Sequence, residues 1–365
     1  MQAVNTFERG TGAHRADFVY NANPARIVFG VGAVSQVAEE LKAAGASRAL
    51  VLSTPFQKAE AERLAASLGD LAAGVFAGAV MHTPVEVTRQ ALAIYESAGA
   101  DSVVSLGGGS TIGLGKAIAY RNAATQIVVV TTYAGSEVTP ILGQTENGLK
   151  TTVRDASILP EVVIYDPQLT LSLPVALSVT SGLNAIAHAV EGLYAKDRNP
   201  VTSLMAVEGI RALRDALPKI VRSPNDIAAR SGALYGSWLC GTVLGAVGMS
   251  LHHKLCHTLG GSFDLPHAET HAILIPHTAA YNDKAAADAL RPAADLFGGN
   301  LGAGLYDFAE ALGAPLALKD LGLSESALDR AADIAVKNPY WNPRPVERDG
   351  VRALLQEAWG GSRPR

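Results

Sequence analysis

Four short apolar runs restrict what the first half of this chain can become: Ala49–Ser53 (ALVLS), Ser102–Leu106 (SVVSL), Gln126–Thr131 (QIVVVT) and Val162–Tyr165 (VVIY). A strand with one wet face alternates apolar and polar residues. These runs do not alternate, so both faces must be covered, as in a parallel sheet layered by helices. Ala25–Phe29 and Ala72–Val80 add two strand-like segments, and Val34–Ala44, Ala59–Leu68 and Val85–Ala98 carry helical periodicity between them. This β–α rhythm predicts an open α/β sheet of Rossmann-like type. Past Asp166-Pro167 the strand signals fade. Helical periodicity takes over in Ser178–Ala195, Pro200–Leu217, Asp226–Gly245, Ser250–Gly260, Leu301–Leu312 and Val351–Trp359. A chain of 365 residues exceeds one ordinary core. Two domains follow, an α/β domain over residues 1–168 and an all-α domain over residues 169–365.

Composition removes several function classes. Hydrophobic residues make up 48% and charged residues 18%, which is globular and not disordered. The formal net charge of -4 gives no basic field, so nucleic acid is not an expected partner. No apolar run reaches the roughly 18–20 residues a membrane span needs. The N-terminus lacks the apolar core of a secretion signal, so the expected location is the cytoplasm. Cys240 and Cys256 stand in apolar or helical context and are expected to be buried free thiols. There is no internal repeat, and Ala285–Ala294 is merely alanine-rich.

Two loops carry the first chemistry. Ser102–Leu106 runs into Gly107-Gly108-Gly109-Ser110-Thr111, and a helix is expected over Leu114–Tyr120. Residues without a Cβ let backbone N–H groups approach an anion, and a helix N-terminus adds partial positive charge. A pyrophosphate suits such a loop. Glycine turns after strands also serve purely structural ends, and this one lacks the GxGxxG spacing. Thr131-Thr132-Tyr133-Ala134-Gly135-Ser136-Glu137 follows the next buried strand and offers hydroxyls at the same sheet edge. Two such loops on one carboxyl edge point to a dinucleotide, with Gly108, Gly109, Ser110, Thr131 and Thr132 as its contacts.

The nine histidines are unevenly spread. Asn184 and His188 are four apart on a predicted helix and share a face. His253 and His257 repeat that spacing in His252-His253-Lys254-Leu255-Cys256-His257, and His267, His271 and His277 follow. An i,i+4 histidine pair suits a metal-binding helix face. It suits proton donors equally well.

These motifs, GGGS after a strand, TTYAGSE after the next, N-A-x-x-H-A-x-E and H-x-x-x-H-x(9)-H, resemble the iron-type (group III) alcohol dehydrogenases. The resemblance runs from about Ala25 to Asn282 and more weakly beyond. It implies a dinucleotide-binding α/β domain, an all-helical C-terminal domain, and an active site in the cleft between them. It also implies a metal held by one aspartate and three histidines. His188, His253 and His267 match the histidines, whereas Asn184 stands at the aspartate, leaving only neutral donors. Gly113 replaces a further family aspartate, and Ser53-Thr54 replaces the acidic residue that often selects NAD. Together with Met81-His82-Thr83-Pro84 and Phe263–Glu269, these departures resemble the maleylacetate reductase subfamily, whose members reduce maleylacetate to 3-oxoadipate with NADH or NADPH during aromatic-compound breakdown and are regarded as metal-independent. The resemblance also implies coenzyme contacts at Ser53, Thr54, Phe56, Ser136 and Lys150, and a homodimer.

That chemistry fits the altered histidine set. Hydride added to the alkene carbon β to a ketone places negative charge on the ketone oxygen, where preorganised donors can take the role of a metal. His253, His257 and His267 are the expected catalytic residues, with His253 the donor to that oxygen. A small dicarboxylate substrate needs cationic or hydrogen-bonding partners, and His82, Tyr133, His188, His252 and Lys254 are candidates. Three alternatives stay open: a metal-dependent alcohol dehydrogenase acting on a small alcohol or aldehyde, a sugar-phosphate cyclase-like lyase, and a non-catalytic nucleotide binder. No bound metal is the expectation.

Overall fold

The structure is a computed structural model. It describes residues 18–23, 25–146 and 149–365, without the side chains of 149 and 150. The chain divides into two compact units. One holds Ala22–Pro174 with Ser223–Leu234, and the other holds Val175–Arg222 and Tyr235–Arg365.

The first unit is built on strands β1 (Arg26–Phe29), β2 (Ala49–Leu52), β3 (Ala72–Phe76), β4 (Ser102–Gly107), β5 (Thr125–Val130) and β8 (Val162–Tyr165). They form one parallel sheet in the order β1-β8-β5-β4-β2-β3. Four helices complete the βα units: α1 (Val37–Ala43), α2 (Lys58–Leu68), α3 (Val85–Ser97) and α4 (Gly109–Asn122). Alternate residues of one strand serve opposite layers. Val51 and Val104 pack with Leu41 of α1 and Leu64 of α2, while Leu50, Leu52 and Val103 pack with Tyr95 of α3 and Leu114 and Ile118 of α4. Both faces are therefore apolar, which is why the sequence runs do not alternate. From β2 the chain moves outward to β3, then crosses back to place β4 on the other side of β2. The strand order reverses there, and the carboxyl ends of β2 and β4 flank the point where open α/β sheets bind ligands.

Three details differ from the sequence reading. The third strand ends at Phe76, short of Val80. The helix after the glycine loop starts at Gly109, five residues before the apolar periodicity begins, because the glycine loop itself forms its first turn. A hairpin, β6 (Ile141–Glu146) with β7 (Leu149–Arg154), was not anticipated. Its segments, ILGQTE and LKTTVR, are too polar to announce a buried strand.

The second unit is helical: α5 (Val175–Tyr194), α6 (Pro200–Arg222), α8 (Leu251–Phe263), α9 (His267–Asn282), α10 (Ala287–Leu296), α11 (Leu301–Ala311), α12 (Leu328–Val336) and α13 (Arg348–Gly360). Helix α7 (Ile227–Ala246) contributes residues to both units. Leu255, Leu259, Ile273, Leu274, Leu328, Leu355 and their neighbours on α8, α9, α12 and α13 make one core. Helices α9 and α10 contain Pro276 and Pro292, residues that argue locally against helix and concealed both segments in the sequence. Cys240 and Cys256 are buried thiols that form no disulfide. No single helix among the described residues is long and apolar enough to cross a membrane.

Candidate active site

At the carboxyl edge of the sheet, β4 ends at Gly107 and α4 begins at Gly109, with Gly108 as its N-cap. Close approach explains the first two glycines. A Cβ on Gly107 would lie 2.5 Å from Thr111 Oγ1, and one on Gly108 would lie 2.6 Å from Thr132. A Cβ on Gly109 would meet nothing within 4 Å. The free N–H groups of a fourteen-residue helix thus open onto unfilled space, the arrangement that suits an anion. Around this point Ser53 Oγ, Thr111 Oγ1 and Thr132 Oγ1 are buried without hydrogen-bond partners. Buried polar groups are ordinarily satisfied, so these hydroxyls are available to a ligand at this edge. Gln57 Nε2 donates to Thr131 Oγ1 at 3.1 Å, tying the end of β2 to the loop after β5.

Gly113 also has a physical reason. Its Cβ would stand 2.4 Å from Thr83 Oγ1, so no side chain fits beside Thr83. His82 and Thr83 hold φ of 66° and 45°, and for a β-branched threonine the left-handed region is strained. The space that an aspartate at 113 would need is filled from this strained turn.

In the helical unit one carboxylate organises the histidines. Glu191, fully buried on α5, accepts from the backbone N–H of Ser250 (2.9 Å), His252 (2.8 Å) and His253 (3.4 Å), capping α8. It also lies 2.6 Å from His253 Nδ1. A carboxylate only accepts, so Nδ1 of His253 carries a proton and its Nε2 faces outward from this pair. That Nε2 meets His188 Nδ1 at 2.9 Å. The result is a chain Glu191–His253–His188 linking α5 and α8. A second chain lies beside it. Thr278 Oγ1 donates to the Leu274 carbonyl, so it accepts from His252 Nδ1 (3.1 Å), leaving His252 Nε2 to accept from His271 Nδ1 (2.9 Å). Burial, then repulsion from neighbouring histidines, holds the His252 and His271 imidazoles far below their usual range, so both are neutral. His267 stacks edge-on against His271 with ring centroids 4.4 Å apart.

The structure therefore brings His188, His253 and His267 into one group with His252 and His271. His257 Nδ1 is 3.1 Å from the Tyr340 hydroxyl, and Lys254 Nζ lies 5.6 Å from the Tyr340 ring centre. Tyr133 sits fully buried in the α/β unit, where Arg230 donates to its hydroxyl at 3.1 Å and burial lifts the phenol pKa. His82 belongs to the strained turn of the same unit. Thr54 and Ser136 are half-buried, Ser110 lies in the first turn of α4, and Phe56 is 95% exposed. The side chain of Lys150 lies outside the described residues. Sequence reasoning passed over Glu191, although the motif N-A-x-x-H-A-x-E places it on the face of Asn184 and His188. It also missed Tyr340, which sits in a loop of unremarkable composition.

Whether the family's metal would fit can be judged from the donors. Asn184, His188, His253 and His267 are all uncharged, and none supplies the anion that stabilises a divalent ion. His188 Nδ1 and His253 Nε2 are closed on each other by their hydrogen bond. The set fits a divalent iron poorly. Asn184 Oδ1 is buried without a partner, an acceptor open to a hydroxyl or a water. His252, Cys256 and His271 bring ligand-type atoms within 4.8 Å of one another, but these atoms already bond among themselves.

Residues 24–167 match the family described as iron-containing alcohol dehydrogenase, and residues 178–359 match the C-terminal part of the Fe-containing alcohol dehydrogenase family. The chain belongs to the iron-containing alcohol dehydrogenase family. Within it, the chain is 67% identical over 347 residues to a maleylacetate reductase of Rhizobium sp. (strain MTP-10005), covering 95% of this chain and 99% of that one. It is 55% identical over 348 residues to the maleylacetate reductase of Burkholderia cepacia, with the same coverage. The crystal structure of maleylacetate reductase from Agrobacterium tumefaciens superposes with a TM-score of 0.93 at 66% identity, covering 96% of this chain and all of that one.

Proposed function

We propose that the protein reduces the C=C bond of maleylacetate to give 3-oxoadipate, with NADH or NADPH as reductant, in the breakdown of aromatic compounds. The observation that carries this reading is the Glu191–His253–His188 chain, which includes two of the three histidines that the resemblance assigns to a metal. The coenzyme supplies the hydride. The α/β unit binds it through the α4 N-terminus and the hydroxyls of Ser53, Thr111 and Thr132. No carboxylate follows β2 to repel a 2′-phosphate, so NADH and NADPH are both accepted.

His253 stabilises the charge that develops on the ketone oxygen. Glu191 fixes its ring and tautomer, as buried carboxylates do for catalytic histidines. In the ligand-free structure His253 Nε2 is bonded to His188 Nδ1 at 2.9 Å, so the ring donates to the ketone oxygen once it carries a second proton and the substrate takes the place of His188, which is then placed to return the proton. Lys254, His257 and Tyr340 provide the polar, half-exposed groups that a carboxylate of the substrate requires. Turnover is expected without a bound divalent metal, because Asn184 stands where the resemblance places the one anionic ligand and the remaining positions are imidazoles. The protein works as a cytoplasmic homodimer, and sedimentation of a monomer alone at micromolar concentration would contradict that assembly.

The test is direct. Maleylacetate added to enzyme and NADH should oxidise the coenzyme and yield 3-oxoadipate, with NADPH also serving to within about a thousandfold, or ~4 kcal/mol. The rate should survive a chelator. Oxidation only with small aldehydes, or activity lost to chelator and restored by iron or zinc, would favour the metal-dependent alcohol dehydrogenase instead.

A further inference from the structure

Lys116 lies two turns into α4 and is fully buried. No role so far uses it. Its ammonium donates to the carbonyls of Ser136 (2.6 Å), Thr139 (2.8 Å) and Ile141 (3.0 Å) and to Thr139 Oγ1 (3.0 Å). Four oxygens surround three N–H donors, so the group is fully engaged and closed to covalent chemistry. All four oxygens belong to one stretch, the segment that leaves β5, carries Thr131, Thr132 and Ser136, and enters β6. The helix that supplies Lys116 starts at Gly109, in the glycine loop. One side chain therefore ties the two coenzyme loops together.

Its surroundings show that the tie is specific. Gly115, beside it, would place a Cβ 2.3 Å from Ser105 Oγ, so α4 presses closely on β4 and the lysine stem has little freedom. Glu137, also fully buried, lies in the clamped segment and accepts from the Tyr165 hydroxyl at 2.8 Å. Burial pushes the Lys116 ammonium down to about 7, with Glu137 opposing the shift. A fully buried cation is costly unless its protons are well used. A methionine or leucine would fill the same space, so tethering the loop is the return for keeping the charge.

We propose that Lys116 is a positioning residue for the coenzyme: it clamps the Ser136–Ile141 backbone to α4 and so presets the hydroxyls of Thr131, Thr132 and Ser136 for binding. This rests on the reading of the sheet edge as a nicotinamide-coenzyme site.

Lys116→Met keeps the length of the stem and removes the donors. Expected are a rise of about tenfold or more in the Kd and KM for NADH, a fall in kcat below about threefold, and a maleylacetate KM that moves less than the NADH KM. Amide hydrogen exchange should quicken over Ser136–Ile141 while the amides of β4 keep their protection. A merely structural lysine would lower global stability without that split. Should Lys116→Met fail to fold, Thr139→Val removes one acceptor and keeps the backbone; a rise of about two- to fivefold in NADH Kd is then expected. Unchanged NADH affinity in a folded Lys116→Met protein, or in Thr139→Val when Lys116→Met does not fold, overturns the proposal. Failure of the parent protein to bind NADH would overturn the coenzyme reading itself, and this inference with it.

Discussion

At the carboxyl edge of the sheet, Ser53, Thr111 and Thr132 keep buried hydroxyls without partners, whereas in the helical unit Glu191, His253 and His188 form one bonded chain and Thr278, His252 and His271 another. In the first region these hydroxyls remain free to bond a ligand, as the proposed coenzyme site requires. The second is largely bonded within itself, with Asn184 Oδ1 and His271 Nε2 left over, and its bonds fix ring orientation before any ligand arrives. Binding energy can be taken from the first region, because satisfying an orphaned donor gains what its burial had cost. Geometry is taken from the second, because a histidine held on one nitrogen by a buried carboxylate presents the other in a fixed direction. Substitutions in the two regions should therefore fail in different ways.

The largest effect is expected at His253. His253→Ala removes the donor and leaves Glu191 with its backbone partners and the Tyr194 hydroxyl. The rate with maleylacetate should fall by about 10²–10⁴, the range for loss of a positioned acid, with NADH affinity little changed. Stopped-flow reduction and coenzyme fluorescence measure the two quantities separately. A variant within about threefold of the parent rate would remove His253 from the chemistry.

His277 tests the helical unit through pH. It is buried with both ring nitrogens unpartnered, and burial lowers its pKa from 6.5 to about 4. The folded protein therefore prefers the neutral ring, while the unfolded chain takes up a proton near 6.5. Its contribution is intact above pH 6.5 and is lost as pH falls from there to about 4, at about 1.4 kcal/mol per unit, or about 3 kcal/mol in all. Denaturant unfolding across that window should show the loss, and His277→Leu should make the acid limb shallower by about that amount. An acid limb of unchanged slope would mean that His277 is not held neutral.

The comparison can be sharpened at Thr132. Thr132→Val removes a buried hydroxyl that has no partner, so the ligand-free protein should lose no stability and could gain up to about 1 kcal/mol. NADH binding should weaken by about five- to tenfold, close to 1 kcal/mol. Any isosteric change within the bonded histidine network must instead destabilise the free protein. If Thr132→Val destabilised the free protein by more than about 1 kcal/mol, the hydroxyl would have a native partner and the contrast between the regions would collapse.

Sequence patterns carried the architecture well and the site unevenly. Continuous apolar strands such as Ala49–Leu52 and Val162–Tyr165 can only be covered on both faces, so the sheet was legible. The glycine loop was legible because missing side chains are visible in a sequence. His188 and His253 declared themselves by spacing on their helices, but their mutual hydrogen bond spans 65 residues, and no local pattern encodes it. Lys116 was illegible for a related reason. It sits in a run where every neighbour from Thr111 to Ala119 is buried, yet its acceptors are backbone carbonyls, which any sequence would supply. Helices α9 and α10 were hidden by internal prolines that tertiary packing overrides.

A last prediction concerns the strained turn beside the proposed coenzyme edge, read through a coupling energy of about 1 kcal/mol. Gly113 is interior to α4, where alanine would ordinarily stabilise by about 0.5–1 kcal/mol. Here its Cβ would lie 2.4 Å from Thr83 Oγ1, a distance no real contact sustains, so Gly113→Ala should destabilise by about 1–3 kcal/mol. Thr83→Ala removes the colliding atom. It also relieves a β-branched residue held at φ 45°, so its own cost should be small. If the collision is the whole reason for glycine, the two changes together should cost less than their sum, with a coupling energy of about 1 kcal/mol or more in a double-mutant cycle. Denaturant melts of the four proteins give that number. Strict additivity would mean that Thr83 moves aside freely, and the glycine at 113 would then need another cause, one acting on the coenzyme and not on the turn. Binding of NADH to the same four proteins decides between them, since a purely steric glycine leaves coenzyme affinity of the double variant unchanged.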